Sequence, residues 1–351
     1  MSIQPTLRRV ARASNAHNHT VHTAFANPHS QTFQLHDGRV LGFAEYGNPN
    51  GRPLLYFHGF PSSRIEAEPA DDMARRCGIR ILALDRPGFG LSTPQPGRKI
   101  VDWPNDVRDF ATGMGLDRFA VMGLSGGGPF ALACAHALPK DMVAGVGLFA
   151  SGGPWAAGTH HMSLMRRMMR ALAVYWPYGL GLLLNVLVRG FRAVATSGPI
   201  VRRVDAWLEA QDKKKKEKEQ ESAASIENDT SIANPKKTPA ERRKYLLDVL
   251  INEPFVQGAS ATVLEADLLS SPDWGFKFED VDFDPVRIWH GSKDGNSPIA
   301  AIKYLAQRLP HGVLTEYEND THYTMFSHLE EALTELARDY DAHASDISST
   351  S

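Results

Sequence analysis

A hydroxyl, an acid and an imidazole stand at three separate places in this chain, each just behind an apolar run. Ser125 lies in Gly123-Leu124-Ser125-Gly126-Gly127, between an apolar run at 119–122 and an alanine-rich segment at 130–138. Asp294 ends His290-Gly291-Ser292-Lys293-Asp294, behind 286–289, and His322 ends Glu318-Asn319-Asp320-Thr321-His322, behind 313–317. Nucleophilic acyl transfer needs a hydroxyl, a base for its proton, a carboxylate to orient the base, and donors for the oxyanion. Gly-x-Ser-x-Gly at a strand-to-helix turn lifts a serine into an exposed, strained position, with glycines where backbone segments crowd. The N–H of Gly126 then sits at a helix start, where free donors favour an oxyanion. His58-Gly59-Phe60-Pro61 follows another apolar run, at 53–57. Gly59 lets the chain turn, the N–H of Phe60 can supply the second donor, and Pro61 has none.

Those loops require a scaffold that gathers them. Residues 32–46 read as a hairpin around Asp37-Gly38. Apolar strands at 53–57, 80–84, 119–122 and 142–149 alternate with helices at 64–77, 101–114 (Asp102 as its cap) and 130–138. The pattern resumes with a strand at 286–289, a helix at 298–309, a strand at 313–317 and a closing helix at 328–340. Nearly all-apolar strands separated by helices predict an α/β protein with a mostly parallel sheet covered on both faces. In such a sheet the loops after the strands collect on one edge, so Ser125, Asp294 and His322 converge, in the order Ser, Asp, His.

Competing residues have simpler roles. His58 and His290 sit in His-Gly turns and are assigned to loop structure. His136, His160 and His161 fall on helical segments. Asp85 is expected to brace the Arg86-Pro87-Gly88 turn, and Asp320 lies too close to His322 to orient it. Ser151-Gly152-Gly153, after the 142–149 strand, offers no acid. Cys77 and Cys134 fit buried, reduced thiols better than a disulfide, and no cysteine–histidine cluster has metal-ligand spacing.

The composition excludes several function classes. The chain has 351 residues, 42% of them hydrophobic, and a net charge of -2, which gives no footprint for nucleic acid. Residues 1–31 form a flexible leader with Arg8, Arg9 and Arg12 and no acid. An undocked leader on an intracellular, cytoplasmic protein is favoured over a mitochondrial transit peptide, which that composition also resembles. The core is assigned to 32–153 and 277–345, and a helical insertion to 154–276. Within the insertion, 211–238 is Lys/Glu-rich and is expected to be a solvated, disordered loop. The apolar run 171–188 approaches bilayer-spanning length, but Pro177, Gly179, Gly181 and Asn185 interrupt it, and spanning would divide one sheet between two compartments. It is read as cap helices that line an apolar pocket and contact a membrane surface peripherally. Met165, Trp176 and Tyr178 are the substrate-pocket candidates.

Together, His58-Gly59-Phe60-Pro61, Asp85-Arg86-Pro87-Gly88-Phe89-Gly90, Gly123-Leu124-Ser125-Gly126-Gly127, His290-Gly291-Ser292-Lys293-Asp294 and Asp320-Thr321-His322 resemble the α/β-hydrolase family with a helical cap. The resemblance covers about 32–340, the cap lying outside any specific motif. It implies a serine nucleophile with Asp and His partners, no cofactor, and a cap that shapes the pocket. Epoxide hydrolases and haloalkane dehalogenases resemble the pattern but place aspartate where this chain has Ser125. Gly126 replaces the bulkier residue of many relatives, such as the Trp of prolyl aminopeptidases. The expected activity is hydrolysis of an ester, thioester or lactone with a hydrophobic moiety; the substrate is expected to be small, and the oligomeric state is left open. A peptidase or C–C bond hydrolase on the same triad, and a non-catalytic ligand-binding protein of the same fold, are the alternatives.

Overall fold

A computed structural model describes residues 27–160, 162–223 and 237–350, without the side chains of 215–223 and 344–350. The leader expected at 1–31 lies outside these residues up to 26, as does 224–236 of the charged stretch.

Eight strands form one sheet: β1 (Gln31–Gln34), β2 (Val40–Gly47), β3 (Arg52–Phe57), β4 (Ile79–Leu84), β5 (Phe119–Leu124), β6 (Val143–Phe149), β7 (Val286–Gly291) and β8 (Gly312–Tyr317). Their order is β1-β2-β4-β3-β5-β6-β7-β8. The β1–β2 hairpin pairs antiparallel, as β2 does with β4; every later pairing is parallel. The central parallel strands β5 and β6 are bare apolar runs because helices cover both faces, whereas the edge strand β8 is only partly buried.

The helices of the first half are α1 (Asp71–Arg76), α2 (Trp103–Gly113) and α3 (Gly128–Ala137). Those between β6 and β7 are α4 (Leu164–Tyr175), α5 (Pro177–Ala195), α6 (Gly198–Ala223), α7 (Pro239–Leu247) and α8 (Ser260–Ser270), and α9 (Ile299–Ala306) and α10 (Leu329–Thr350) complete the chain. On one face, Trp103, Phe110, Phe130 and Ile302 join Phe57, Val121 and Leu148 in the larger core. On the other, Ala74, Leu329 and Leu336 pack on Leu54, Ala83 and Trp289. The helical insertion follows β6, so it stands over the edge where the parallel strands end.

Two local expectations change. Asp102 precedes α2, yet its carboxylate accepts from Lys99 N at 2.7 Å and does not cap α2. The Lys/Glu-rich stretch continues α6 as helix to Ala223, where a disordered loop was expected from 211. Lys, Glu and Gln are strong helix formers, so a charged composition that cannot build a core can still extend an existing helix.

Candidate active site

The turn after β5 is built by contact. Ser125 has φ of 50°, a left-handed backbone that a β-carbon disfavours. A β-carbon on Gly123 would lie 2.4 Å from the Gly127 backbone, and one on Gly127 2.1 Å from Phe57 O. Glycine is therefore required at both positions for β5, β3 and the helix start to approach. Gly152 N donates to Ser125 O at 2.7 Å, tying the strained residue to the loop after β6. Such strain persists only where neighbours over-determine it.

Asp294 and His322 meet across the loops after β7 and β8. His322 Nδ1 and Asp294 Oδ2 are 2.7 Å apart. Asp294 Oδ1 accepts from Asn296 N and Ser297 N, both at 2.8 Å. Burial works to raise this carboxyl, but the hydrogen bond and charge of His322 and the Ser297 amide hold it below the usual carboxylate range. A charged Asp294 facing Nδ1 favours the tautomer with the proton there and leaves Nε2 free to accept one. Asp85 and Asp320 are committed elsewhere. Asp85 accepts from Arg64 N, the Arg64 guanidinium and Leu91 N, while Asp320 holds His328 at 3.0 Å.

His58 and His290 are fully buried. His58 contacts Gly59 O at 2.8 Å and accepts from Arg86 N at 3.2 Å. His290 contacts Ser297 O at 2.8 Å, and its Nε2 lies 3.3 Å from Asp294 Oδ2, behind the pair. Burial pushes both imidazoles below their ordinary value, with the Arg86 charge adding to the effect at His58.

Ser125, His322, Phe60 and Gly126 border one cavity of about 610 Å³. Phe60 and Gly126 are in close contact. A β-carbon on Gly126 would lie 2.5 Å from Phe60 Cβ, 3.2 Å from Phe60 N and 3.1 Å from Leu269 Cδ1. The space that a bulkier residue would need at 126 is filled by Phe60 and Leu269.

Two features behind this loop escape sequence reasoning. Glu66 is in the cavity wall and accepts from Gly59 N at 2.6 Å and Tyr56 Oη at 3.1 Å. Burial raises its carboxyl above the ordinary value. Beneath the loop, Arg86 donates to His58 O and, at 3.0 Å, to Gly59 O. Its Nε and Nη2 donate to Glu265 of α8 at 2.7 and 2.8 Å, and Arg98 donates to the same carboxylate. Burial opposes the charge on Glu265, yet Arg86 and Arg98 hold its carboxyl at about 2. The only signal in sequence is an isolated glutamate in the apolar pattern of α8.

The cap lines the cavity through different residues from those expected. Met165, Trp176 and Tyr178 are 72%, 59% and 78% exposed and are absent from the wall. Arg166, Met169 and Arg170 line it instead, with Ala266, Leu269 and Ser270 of α8. These α4 residues are spaced i, i+3, i+4 and share one helix face; Met165 precedes Arg166 by one residue, about 100° around the helix. The run 171–188 breaks at Trp176 into α4 and α5, and none of its residues lines the cavity. Arg166 and Arg170 both stack on Trp155, at 5.9 and 5.1 Å from its ring centre. Among the described residues neither has a carboxylate partner, and Arg166 Nη1 is buried without a hydrogen-bond partner. Burial lowers the Arg166 guanidinium, against the pull of Asp294.

A parallel sheet with a strained Gly-x-Ser-x-Gly turn, a paired Asp and His on neighbouring loops and a helical insertion over the strand ends defines one class of fold. The alpha/beta hydrolase fold family matches residues 52–329, and the chain belongs to it. A proline iminopeptidase of Xanthomonas citri is 33% identical over 116 residues, 31% of this chain and 36% of that protein. Haloalkane dehalogenase 2 of Mycobacterium tuberculosis is 31% identical over 149 residues, 42% of this chain and 50% of that protein. The chain thus spans about a third to a half of the length of these curated relatives. An esterase from Exiguobacterium antarcticum superposes with a TM-score of 0.57 at 16% identity, over 88% of this chain and 98% of that one, a likeness of fold.

Proposed function

We propose that this chain is a serine hydrolase that cleaves an ester, thioester or lactone with a hydrophobic moiety. The observation that carries the proposal is the single cavity shared by Ser125 and His322, with His322 held by Asp294 at 2.7 Å. Ser125 Oγ attacks the carbonyl carbon, and His322 Nε2 takes the hydroxyl proton. The N–H groups of Phe60 and Gly126 receive the charge on the carbonyl oxygen. His322 then gives its proton to the departing alkoxide or thiolate, leaving an acyl-serine. Water, deprotonated by His322, attacks that ester and frees the acid and Ser125.

The relatives' names include a peptidase and a dehalogenase. A dehalogenase reading requires the aspartate that Ser125 replaces. An iminopeptidase must hold a cationic amine, and the cavity's electrostatics oppose that. Its wall carries the guanidiniums of Arg166 and Arg170, while the Glu66 carboxyl is engaged by Gly59 and Tyr56. Two unneutralised arginines favour a neutral ester or one with an anionic group remote from the scissile bond.

Labelling the folded protein with a fluorophosphonate, beside Ser125→Ala, tests the chemistry. Labelling of the wild type alone supports it; no labelling of either protein favours the non-catalytic ligand-binding alternative. A panel of aryl esters, acyl thioesters, carboxylate-bearing esters and proline amides then tests the substrate class. Faster cleavage of proline amides than of esters would overturn the preference for esters.

A further inference from the structure

We propose that the outer face of α4 and α5 docks on an anionic lipid bilayer, lying in the interface without crossing it. The inference does not depend on the hydrolase reading, because it concerns the outside of the cap.

Helix α5 inverts the usual amphipathic pattern. Of its 19 residues only Gly179, Leu180 and Val188 are buried. The side turned away from the protein carries Leu182, Leu183, Val186, Leu187, Phe191 and Val194, all exposed. Their spacing of one, three and four residues makes a continuous apolar stripe. Met165 and Met168 are exposed on α4, and Tyr175, Trp176 and Tyr178 stand exposed at the corner between the two helices. Monomeric soluble proteins rarely expose an apolar surface this extended and contiguous. Tyr and Trp at its edge are the side chains that settle where hydrocarbon meets headgroups.

The charge on this segment selects the partner. From 142 to 204 the chain has no Asp or Glu, but it has seven arginines: 166, 167, 170, 189, 192, 202 and 203. Arg167, Arg189, Arg202 and Arg203 are exposed. A basic, acid-free apolar surface complements anionic headgroups over an acyl layer. By length and composition α5 could cross a membrane. Its inner side, however, is fastened to the cap: Leu180 packs with Val263 and Ala266, and Val188 with Phe255 and Ala259. Asn185 Oδ1 accepts from Ala259 N at 3.1 Å, and Arg192 donates to Asn252 at 2.9 Å. Crossing would strip those contacts, whereas lying flat keeps them and covers the stripe. Helix α4 then presents one face to the cavity and another to lipid.

The test is flotation of the full-length protein with vesicles rich in phosphatidylglycerol, against vesicles of phosphatidylcholine alone. We expect flotation with the former and at least about tenfold less with the latter. Substituting Val186→Asp, Leu187→Asp and Phe191→Asp together should lower flotation by more than about tenfold while fluorophosphonate labelling stays at the wild-type rate. Should that variant misfold, Trp176 provides a second readout. Its fluorescence should shift to the blue on adding anionic vesicles, and the shift should vanish in Trp176→Phe. Absence of flotation with either vesicle, or equal flotation with both, overturns the proposal. So does a soluble dimer that the triple variant converts to monomer, which would assign the stripe to a second copy of the chain. Ser125→Ala should float like the wild type, so failure of the hydrolase reading and failure of docking give different results.

Discussion

Replacing Glu265 with Gln tests whether the cap and the loop carrying Phe60 form one mechanical unit. The carboxylate accepts three charged hydrogen bonds, from Arg86 at 2.7 and 2.8 Å and from Arg98 at 2.5 Å, and all three side chains are buried. Glutamine keeps the shape but turns an NH₂ toward a guanidinium and leaves two buried cations without a counter-charge. Breaking a buried ion cluster in this way costs about 3–5 kcal/mol. The carboxyl is consistent with that figure: its position at about 2 in place of 4.5 corresponds to on the order of 3 kcal/mol in favour of the charged form. Because the folded value lies below the unfolded one, this contribution is complete above pH 4.5 and is lost as pH falls toward 2. Urea unfolding at neutral pH should show the variant destabilised by that amount. Arg86 also holds the carbonyls of His58 and Gly59, so the Phe60 N–H should lose its placement. The rate of fluorophosphonate labelling should then drop by up to about a hundredfold, the scale of one oxyanion donor. An unchanged urea midpoint together with labelling within about twofold of wild type would refute the coupling.

Asp294→Asn should keep the fold but favour the wrong imidazole tautomer of His322. Ester hydrolysis should fall by on the order of ten-thousandfold with KM little changed; a loss below about tenfold would remove Asp294 from the mechanism. Gly126→Ala places a methyl 2.5 Å from Phe60 Cβ and displaces the loop, so kcat should fall by about a hundredfold with a near-normal melting temperature. His58 and His290 are held neutral by burial, below the ordinary 6.5. The unfolded chain therefore binds more protons below about pH 6.5, and stability should decline from there as pH falls. Urea midpoints that stay flat between pH 7.5 and 5.5 would contradict this.

Much of this arrangement was legible in the sequence for a specific reason. The central strands of a doubly covered parallel sheet are bare apolar runs, and the candidate reactive side chains sit in the loops that end the strands. Ser125, Asp294 and His322 could therefore be located without knowing any long-range contact. The cap was not legible in the same way. Helix α5 is apolar both where it packs and where it faces outward, so periodicity could not separate Leu180 from Leu182. Met165 has the apolar chemistry of a pocket residue, yet helical phase turns the neighbouring Arg166 toward the cavity. Glu66, Arg86 and Glu265 are joined by contacts between residues distant in sequence or hidden behind a turn. Their meaning appears only once α8 lies beneath the loop after β3.

The two halves of the cap are attached to the core very differently. Helix α8 is bolted down by Glu265, and the segment before it by the Glu253–Arg64 pair and by Gln257, which donates to Gly90 O and Ser92 O. Helices α4 and α5 rest on α8 through apolar contacts. Changes on the inner face of α4 can therefore alter what the cavity accepts without loosening the loop that carries Phe60. For redesign, α4 is a replaceable part and α8 belongs to the chassis.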